Sequence, residues 1–309
     1  MHRYIIKRLL MLIPVLLGVA FIIYAIMNVA EGDPVYQVAG PDATEEQLDA
    51  LREEMGLNGS LLERYFRYIF KLLRGDLGTS YVSKMDVMQL YLQRLPNTLK
   101  LASVAMIVAV VISVPLGIVA AVNQNSIKDT VSMILALLGL SMPNFWLGLL
   151  LMLLFSLKLG WFPSGGAEGL RSVVLPAVTV GVGLAALLTR TTRSSMLDVL
   201  RQDYLRTARA KGVSEKRVVF HHALRNALIP IITIFGVQFS NVLGGSVLAE
   251  TVFAWPGVGR LVVDAIDQRD IPTVTGALIM TTMLVTIVNL IVDIVYAYVD
   301  PRIKAQYTK

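Results

Sequence analysis

The chain has 309 residues, of which 55% are hydrophobic and 16% charged, and its formal net charge is +6. A soluble globular domain is nearer ~25% charged, so the composition excludes one and points to a membrane protein whose excess of Lys and Arg orients its loops. There is no cysteine and there are three histidines. That excludes a disulfide framework and a thiolate metal site, and no metal is expected.

Arg3, Lys7 and Arg8 precede an apolar run from Leu9 to about Ala30. A cleavable signal carries a hydrophobic stretch of ~7–15 residues, whereas a bilayer core needs ~20 residues of helix. The run predicts an uncleaved first span, residues 1–30 with the short tip before it. The small residues at Val29-Ala30-Glu31 keep a cleaved signal as the alternative.

Residues 31–97 form a long polar stretch, opening on Gly32-Asp33-Pro34. Thr44 with Gln47 makes a capping box ahead of Leu48, Leu51 and Met55. A second helix is predicted from Leu61 to Leu73, with Leu62, Phe66, Ile69 and Leu73 on one stripe. After the turn-rich Gly75–Ser80 link, a third helix is predicted from Asp86 to Leu95 with Ser83 as its cap. An apolar stripe at helical period is first a buried face, so the stripes are expected to pack on the membrane domain. Seating a partner or gating a pore is the functional alternative.

Residues 98–309 read as five further spans. The second runs from Leu99 to Val122. The third, from Thr130 to Leu157, contains Pro143, which removes a helical N–H and clashes one turn back. One broken span and two half-spans both fit. A loop over Lys158–Ser172 carries Trp161. The fourth span, Val173 to Leu188, contains Gly181 and Gly183, small enough to let helix backbones approach. The fifth, Pro230 to Leu248, places Gln238 and Asn241 three apart on one face. Polar groups at that depth line a wet path or bond between helices, and both readings stand. Glu250 to Arg260 reads as an outer loop, and the sixth span, Ala277 to Tyr298, ends at Asp300-Pro301-Arg302. Asp293 near its end is expected to pair with Arg302 or water rather than carry protons.

Between the fourth and fifth spans lies a basic segment, residues 190–229. Residues 203–230 read as helix, glycine corner, helix. Asp203 is positioned to cap a helix from Tyr204 to Lys211. Gly212 sits where a left-handed cap needs glycine. Ser214 then caps a helix from Glu215 to Asn226, and Pro230 marks entry to the next span. Residues 190–225 hold nine Lys and Arg against three acids; residues 250–270 hold two against four. Excess Lys and Arg marks the cytoplasmic side. Six spans then put both termini and the basic segment inside and residues 31–97 outside. A basic hairpin lying on lipid is the bland alternative for this segment.

The corner, with its wording TARAKG and HALRNALIP, resembles the "EAA" coupling loop of ABC importer permeases. Aligned on Gly212, Arg206, Thr207 and Ala208 fill the first triplet; His222, Leu224 and Arg225 fill the Ile-x-Leu-Pro end. The broad pattern has a carboxylate where Arg206 stands. ETVFAWPGVGR at Glu250–Arg260, the Gly32-Asp33-Pro34 opening and the Asp300-Pro301-Arg302 end resemble the peptide and nickel branch of these permeases. The chain is thus similar to the B-type permease of bacterial dipeptide, oligopeptide, nickel and glutathione ABC importers.

That resemblance implies an all-α integral membrane protein of the bacterial plasma membrane, a type I importer permease with six spans and a helical segment between the first two. It implies half of a translocation path for short peptides, worked by alternating access. The implied partners are a homologous second permease, two ABC ATPases, an extracytoplasmic substrate-binding protein and the lipid bilayer. Tyr204, Arg206, Thr207, Ala208, Arg209, Ala210, Lys211, Gly212 and Val213 are the expected ATPase-docking residues. Gln238 and Asn241 are expected near the path; Glu250, Phe253, Trp255 and Pro256 near the outer mouth.

The chain carries no G-x-x-x-x-G-K-[ST] phosphate loop and no H-E-x-x-H, so no catalytic residue and no cofactor are expected in it. ATP and Mg belong on the ATPase partners. No basic face interleaves with aromatics, so no nucleic-acid partner is expected. A proton-coupled secondary peptide carrier using Asp293 is the alternative, and a membrane scaffold a third.

Overall fold

The computed structural model describes residues 2–29, 34–40 and 43–299. The Ala30-Glu31 signal site, the Gly32-Asp33 opening and the Asp300-Pro301-Arg302 end, with the expected Asp293–Arg302 pairing, lie outside them. The described chain is helical. Five helical stretches are long and apolar enough to cross a membrane: Leu10–Met27 within α1 (His2–Val29), α5 (Val87–Val122), α8 (Val174–Leu200), the continuous run Glu215–Gly245, and Ile271–Val295 within α14 (Ile271–Val299). A sixth is a pair bent by 99°, Ile127–Ser141 and Asn144–Lys158. The bend falls at Met142-Pro143, where the sequence placed it; α6 (Ile127–Ser141) ends there and α7 (Asn144–Leu151) starts with Pro143 at its N-cap.

Tertiary contacts divide the chain into two units. The first comprises residues 1–98 and 256–287. Here α3 (Glu45–Glu54) starts from the Thr44/Gln47 capping box that the sequence predicts. α4 (Leu61–Leu72) starts from a second one, Ser60 with Glu63. Each box satisfies two backbone donors at a helix start that has no intrahelical partner for them. The predicted stripe on α4 is only partly right. Tyr65 and Tyr68 form the buried face, in a core with Ala20 and Ile279, while Leu62, Phe66 and Leu73 are exposed. Tyrosine serves that position because its ring is apolar and its hydroxyl finds the span's backbone: Tyr65 donates to the Leu17 carbonyl at 3.0 Å.

The predicted third helix and second span are one helix, α5, which carries Pro96 and Pro115 inside it. Its start is capped by Asp86, whose carboxylate accepts from Gln89 N–H at 3.1 Å, rather than by Ser83. The turn ahead of it is pinned by Asp270, which is 3% exposed. Asp270 accepts from Ser80 Oγ at 2.5 Å, Tyr81 N at 3.0 Å and Thr273 Oγ1 at 2.7 Å. Tyr81 in turn donates from its hydroxyl to the Met55 carbonyl at 3.1 Å, and burial holds that phenol well above its ordinary pKa, so it stays a donor.

The second unit comprises residues 99–255 and 288–309. α8 is its axis. The backbone approach expected at the two glycines is realised at Gly181, whereas the neighbour at Gly183 is a side chain. A Cβ on Gly181 would stand 2.8 Å from the Ala105 carbonyl oxygen, and one on Gly183 would stand 3.0 Å from Asn144 Oδ1. Arg193, counted among the basic-loop charges, belongs to α8 and forms a bidentate pair with the buried Asp129. Nε and Nη2 each lie 2.7 Å from a carboxylate oxygen. Asn125 N–H adds a third bond to Asp129 at 3.0 Å. The turn between α5 and α6 is thereby tied to the end of α8.

Two outcomes are expected. Asp270→Ala leaves several buried donors without an acceptor and should cost at least ~2 kcal/mol, read as a lower thermal midpoint and faster proteolysis between residues 75 and 86. Asp129→Asn should cost about 3 kcal/mol, and Asp129→Leu combined with Arg193→Met should recover most of it, because the charge then leaves together with its partner.

Candidate functional site

The basic corner is built from α9 (Asp203–Ala210) and the helical run that starts at Glu215. α9 begins one residue earlier than the sequence reading placed it. Gln202 is the N-cap, and Asp203 lies in the first turn without capping by its side chain. Its carboxylate still favours the helix N-terminus electrostatically. The C-terminal end behaves as predicted. Gly212 has φ +77°, its N–H donates to Arg209 O at 2.9 Å, and Val213 N–H donates to Ala208 O at 3.2 Å. No heavy atom lies within 4 Å of a Cβ placed on Gly212. Glycine is therefore required by the backbone conformation alone.

The second arm differs from expectation. It does not stop at Asn226. The chain runs from Glu215 through a π-helical stretch, Val218–Ala223, into α11 (Leu224–Gly245), with Pro230 inside the helix. A π turn spaces carbonyls one residue wider, which lets a helix continue through a local irregularity. So the corner's second arm and the fifth span are one body.

Two side-chain clamps close the angle between the arms. Arg209 reaches over Gly212 to Glu215 as a bidentate pair, Nε to Oε2 at 3.0 Å and Nη2 to Oε1 at 2.8 Å. Asn226 Nδ2 donates to the Tyr204 hydroxyl oxygen at 2.7 Å. Beneath them Leu205 is fully buried in a core with Ile118, Ala121, Met196, Val218 and Ala223. That core joins α9 to α5, to α8 and to the second arm. Ala208 and Val213 are half-buried against it. Tyr204, Arg206, Thr207, Arg209, Ala210, Lys211 and Gly212 are exposed. Arg206 stands 77% exposed, 3.5 Å from Asp203. The corner thus has an apolar inner face fixed to three spanning helices and a cationic outer face.

The remaining predicted residues fall elsewhere. Asn241 Nδ2 donates to Gln238 Oε1 at 3.1 Å, so the two amides first satisfy each other along α11. Asn241 also lines a cleft of about 410 Å³ with Asn144, Gly183 and Ser246; Gln238 lines a smaller one of about 160 Å³ beside Arg190. The Glu250–Arg260 stretch is not an open loop. It is α12 (Val247–Val252), a tight turn and α13 (Val258–Asp267). Glu250, Phe253 and Trp255 are buried; Pro256 is half-buried. Ser246 Oγ donates to Glu250 at 3.1 Å, and Lys100 Nζ stands 5.6 Å from the Trp255 ring centroid. Trp255 and Phe253 hold that turn by burial, a role that turn chemistry alone did not reveal.

Comparison with known proteins agrees with this architecture. Residues 113–305 match the family described as "Binding-protein-dependent transport system inner membrane component", and residues 1–102 match its N-terminal companion, "Binding-prot-dependent transport system membrane comp, N-term". The chain is 45% identical over 304 residues to the glutathione transport system permease protein GsiC of Salmonella paratyphi A, covering 98% of this chain and 99% of that one. It is 45% identical over 315 residues to the oligopeptide transport system permease protein AppB of Bacillus subtilis, covering 98% and 100%. Among solved structures, an inward-facing form of the MetNI methionine ABC transporter shares the fold, with a TM-score of 0.59 at 19% identity over 69% of this chain and 97% of that one. The family selects the ATP-driven importer over the proton-coupled carrier that Asp293 had kept open. With residues 1–102 and 113–305 matched, the chain belongs to the binding-protein-dependent transport system inner membrane components and is a multi-pass permease subunit of an ABC importer.

Proposed function

We propose that this permease takes short peptides, glutathione among them, and that its Gly212 corner is where ATP hydrolysis on partner subunits is converted into movement of the spans. The supporting observation is Leu205. It is 0% exposed in a core shared with α5, α8 and the second arm. A partner that displaces the exposed face of α9 therefore displaces three spanning helices at once, because a close-packed core transmits strain. The Arg209–Glu215 pair and the Tyr204–Asn226 bond hold the angle at Gly212, so the corner moves as a lever.

In this reading two ATPases bind ATP with Mg, this chain pairs with a homologous permease, and a substrate-binding protein delivers the cargo on the opposite membrane face. This chain itself hydrolyses nothing. The basic corner and both termini lie in the cytoplasm, by the charge asymmetry between residues 190–225 and 250–270. Gln238 and Asn241, which line clefts in the C-terminal third of α11, would sit beside the path, and the buried Glu250–Trp255 turn would support its outer end. Peptide cargo is carried over from what GsiC and AppB are named for transporting.

The decisive experiment uses the complex purified through this chain. ATP hydrolysis is measured with and without binding protein loaded with dipeptide or glutathione. Wild type should be stimulated. Gly212→Pro cannot adopt φ +77° and loses its N–H bond, so it should assemble yet lose the stimulation. Uptake that follows the proton gradient, with no ATPase co-purifying, would sink the proposal.

Core and docking roles separate by a second pair of variants. Leu205→Ala should lower thermal stability by ~2–5 kcal/mol and weaken coupling. Arg206→Ala should leave stability within ~0.5 kcal/mol while reducing ATPase retention on the column. Equal loss of stability in both variants would contradict the division between inner and outer faces.

A further inference from the structure

We infer that the cationic cavity beside α4 seats the phosphate of an anionic phospholipid, whose acyl chains lie along the exposed apolar face of that helix. The cavity, about 310 Å³, is lined by Arg64, Arg67, Lys71 and Lys84 against one acid, Glu54. None of these four cations forms an ion pair among the described residues. Arg64 and Arg67 each give one Nη1 bond to a backbone carbonyl, Leu57 at 3.3 Å and Gly56 at 3.2 Å. Two buried polar atoms in the wall have no hydrogen-bond partner: Arg64 Nε and the hydroxyl of Tyr68, a residue 6% exposed. Burial raises the Tyr68 phenol above its ordinary pKa, so it remains a neutral donor. A pocket with unused donors and four positive charges, none of them in an ion pair among the described residues, suits a phosphate, whose oxygens accept charge-assisted bonds.

Position separates a lipid phosphate from a free one. The wall includes Tyr24, near the end of the apolar stretch Leu10–Met27, and Pro272, near the start of Ile271–Val295. The cavity therefore opens where apolar spans end, at the depth of lipid headgroups. α4 completes the argument. Tyr65 and Tyr68 fix one side of it to α1. Leu62, Phe66, Phe70 and Leu73, spaced four, four and three residues apart, are 55–77% exposed on another side. Cations on one flank and large apolar side chains on the next are the pattern of a helix lying in the membrane interface. A free anion would fill the cavity and leave those four side chains in water.

The test takes the whole importer complex, stripped of lipid in detergent, and counts bound lipid by native mass spectrometry. Phosphatidylglycerol should bind more tightly than phosphatidylcholine of the same chains. Arg64→Gln/Arg67→Gln/Lys71→Gln should weaken it on the order of a hundredfold, from about fivefold per cation. Phe66→Ser/Phe70→Ser should weaken it as well. Millimolar inorganic phosphate should not displace it; displacement would make this a small-anion site and overturn the lipid. If the triple variant fails to assemble, Lys84→Gln, on an exposed turn, should still weaken binding about fivefold. No headgroup preference, or affinity unchanged in every variant, would refute the proposal. ATP turnover is not the readout, so this result is independent of the coupling experiment.

Discussion

A backbone in hydrocarbon has no water to bond to, so every carbonyl and N–H must be satisfied within the protein. That constraint shapes this chain more than any single side chain does. Helices run on where soluble proteins would break them. Pro14 lies inside α1, Pro96 and Pro115 inside α5, and Pro230 inside α11. Hydroxyls take up backbone acceptors one turn back: Thr179 with Leu175, Thr189 with Ala185, Ser240 with Gly236, Thr281 with Ala277. Helix-breaking residues are tolerated in such helices because neighbouring groups satisfy the carbonyls they free.

The same constraint explains what was legible in the sequence. Spans, the Pro143 bend, the Thr44 cap and the Gly212 corner all come from local signals of hydropathy, capping chemistry and backbone conformation. Proline is not by itself a boundary in a membrane helix: Pro96 lies inside α5, and Pro230, expected to mark the entry to the fifth span, lies inside α11. The Asp86–Leu95 helix was accordingly separated from the span it continues, and the second arm of the corner from the fifth span.

Pairings across long separations were not legible. Asp129 and Arg193 are 64 residues apart, and Ser80 and Asp270 are 190 apart. Arg193 read as one more loop cation and Asp270 as one more loop acid, because composition does not reveal burial. Arg209 and Glu215, six apart across a glycine, could have been found by asking which opposite charges a sharp corner brings together. Trp255 and Phe253 look like turn residues because Pro256-Gly257 writes a turn; both are buried, with Phe253 beside Gly148 and Lys100 over Trp255, residues more than 100 positions away.

The corner's division into two faces bears on how such importers diverge. Leu205, Ala208 and Val213 look inward and are constrained by packing with three spans, whereas Arg206, Thr207 and Lys211 look outward and touch little of their own chain. Changes in the outer set, Arg206 included, are expected to cost little in folding, because these side chains are exposed. Under the coupling role proposed for the corner, partner choice and mechanical transmission are then separable traits on eleven consecutive residues, 203–213. On that proposal, an importer keeps its lever through the inner set while the outer set decides which motor turns it.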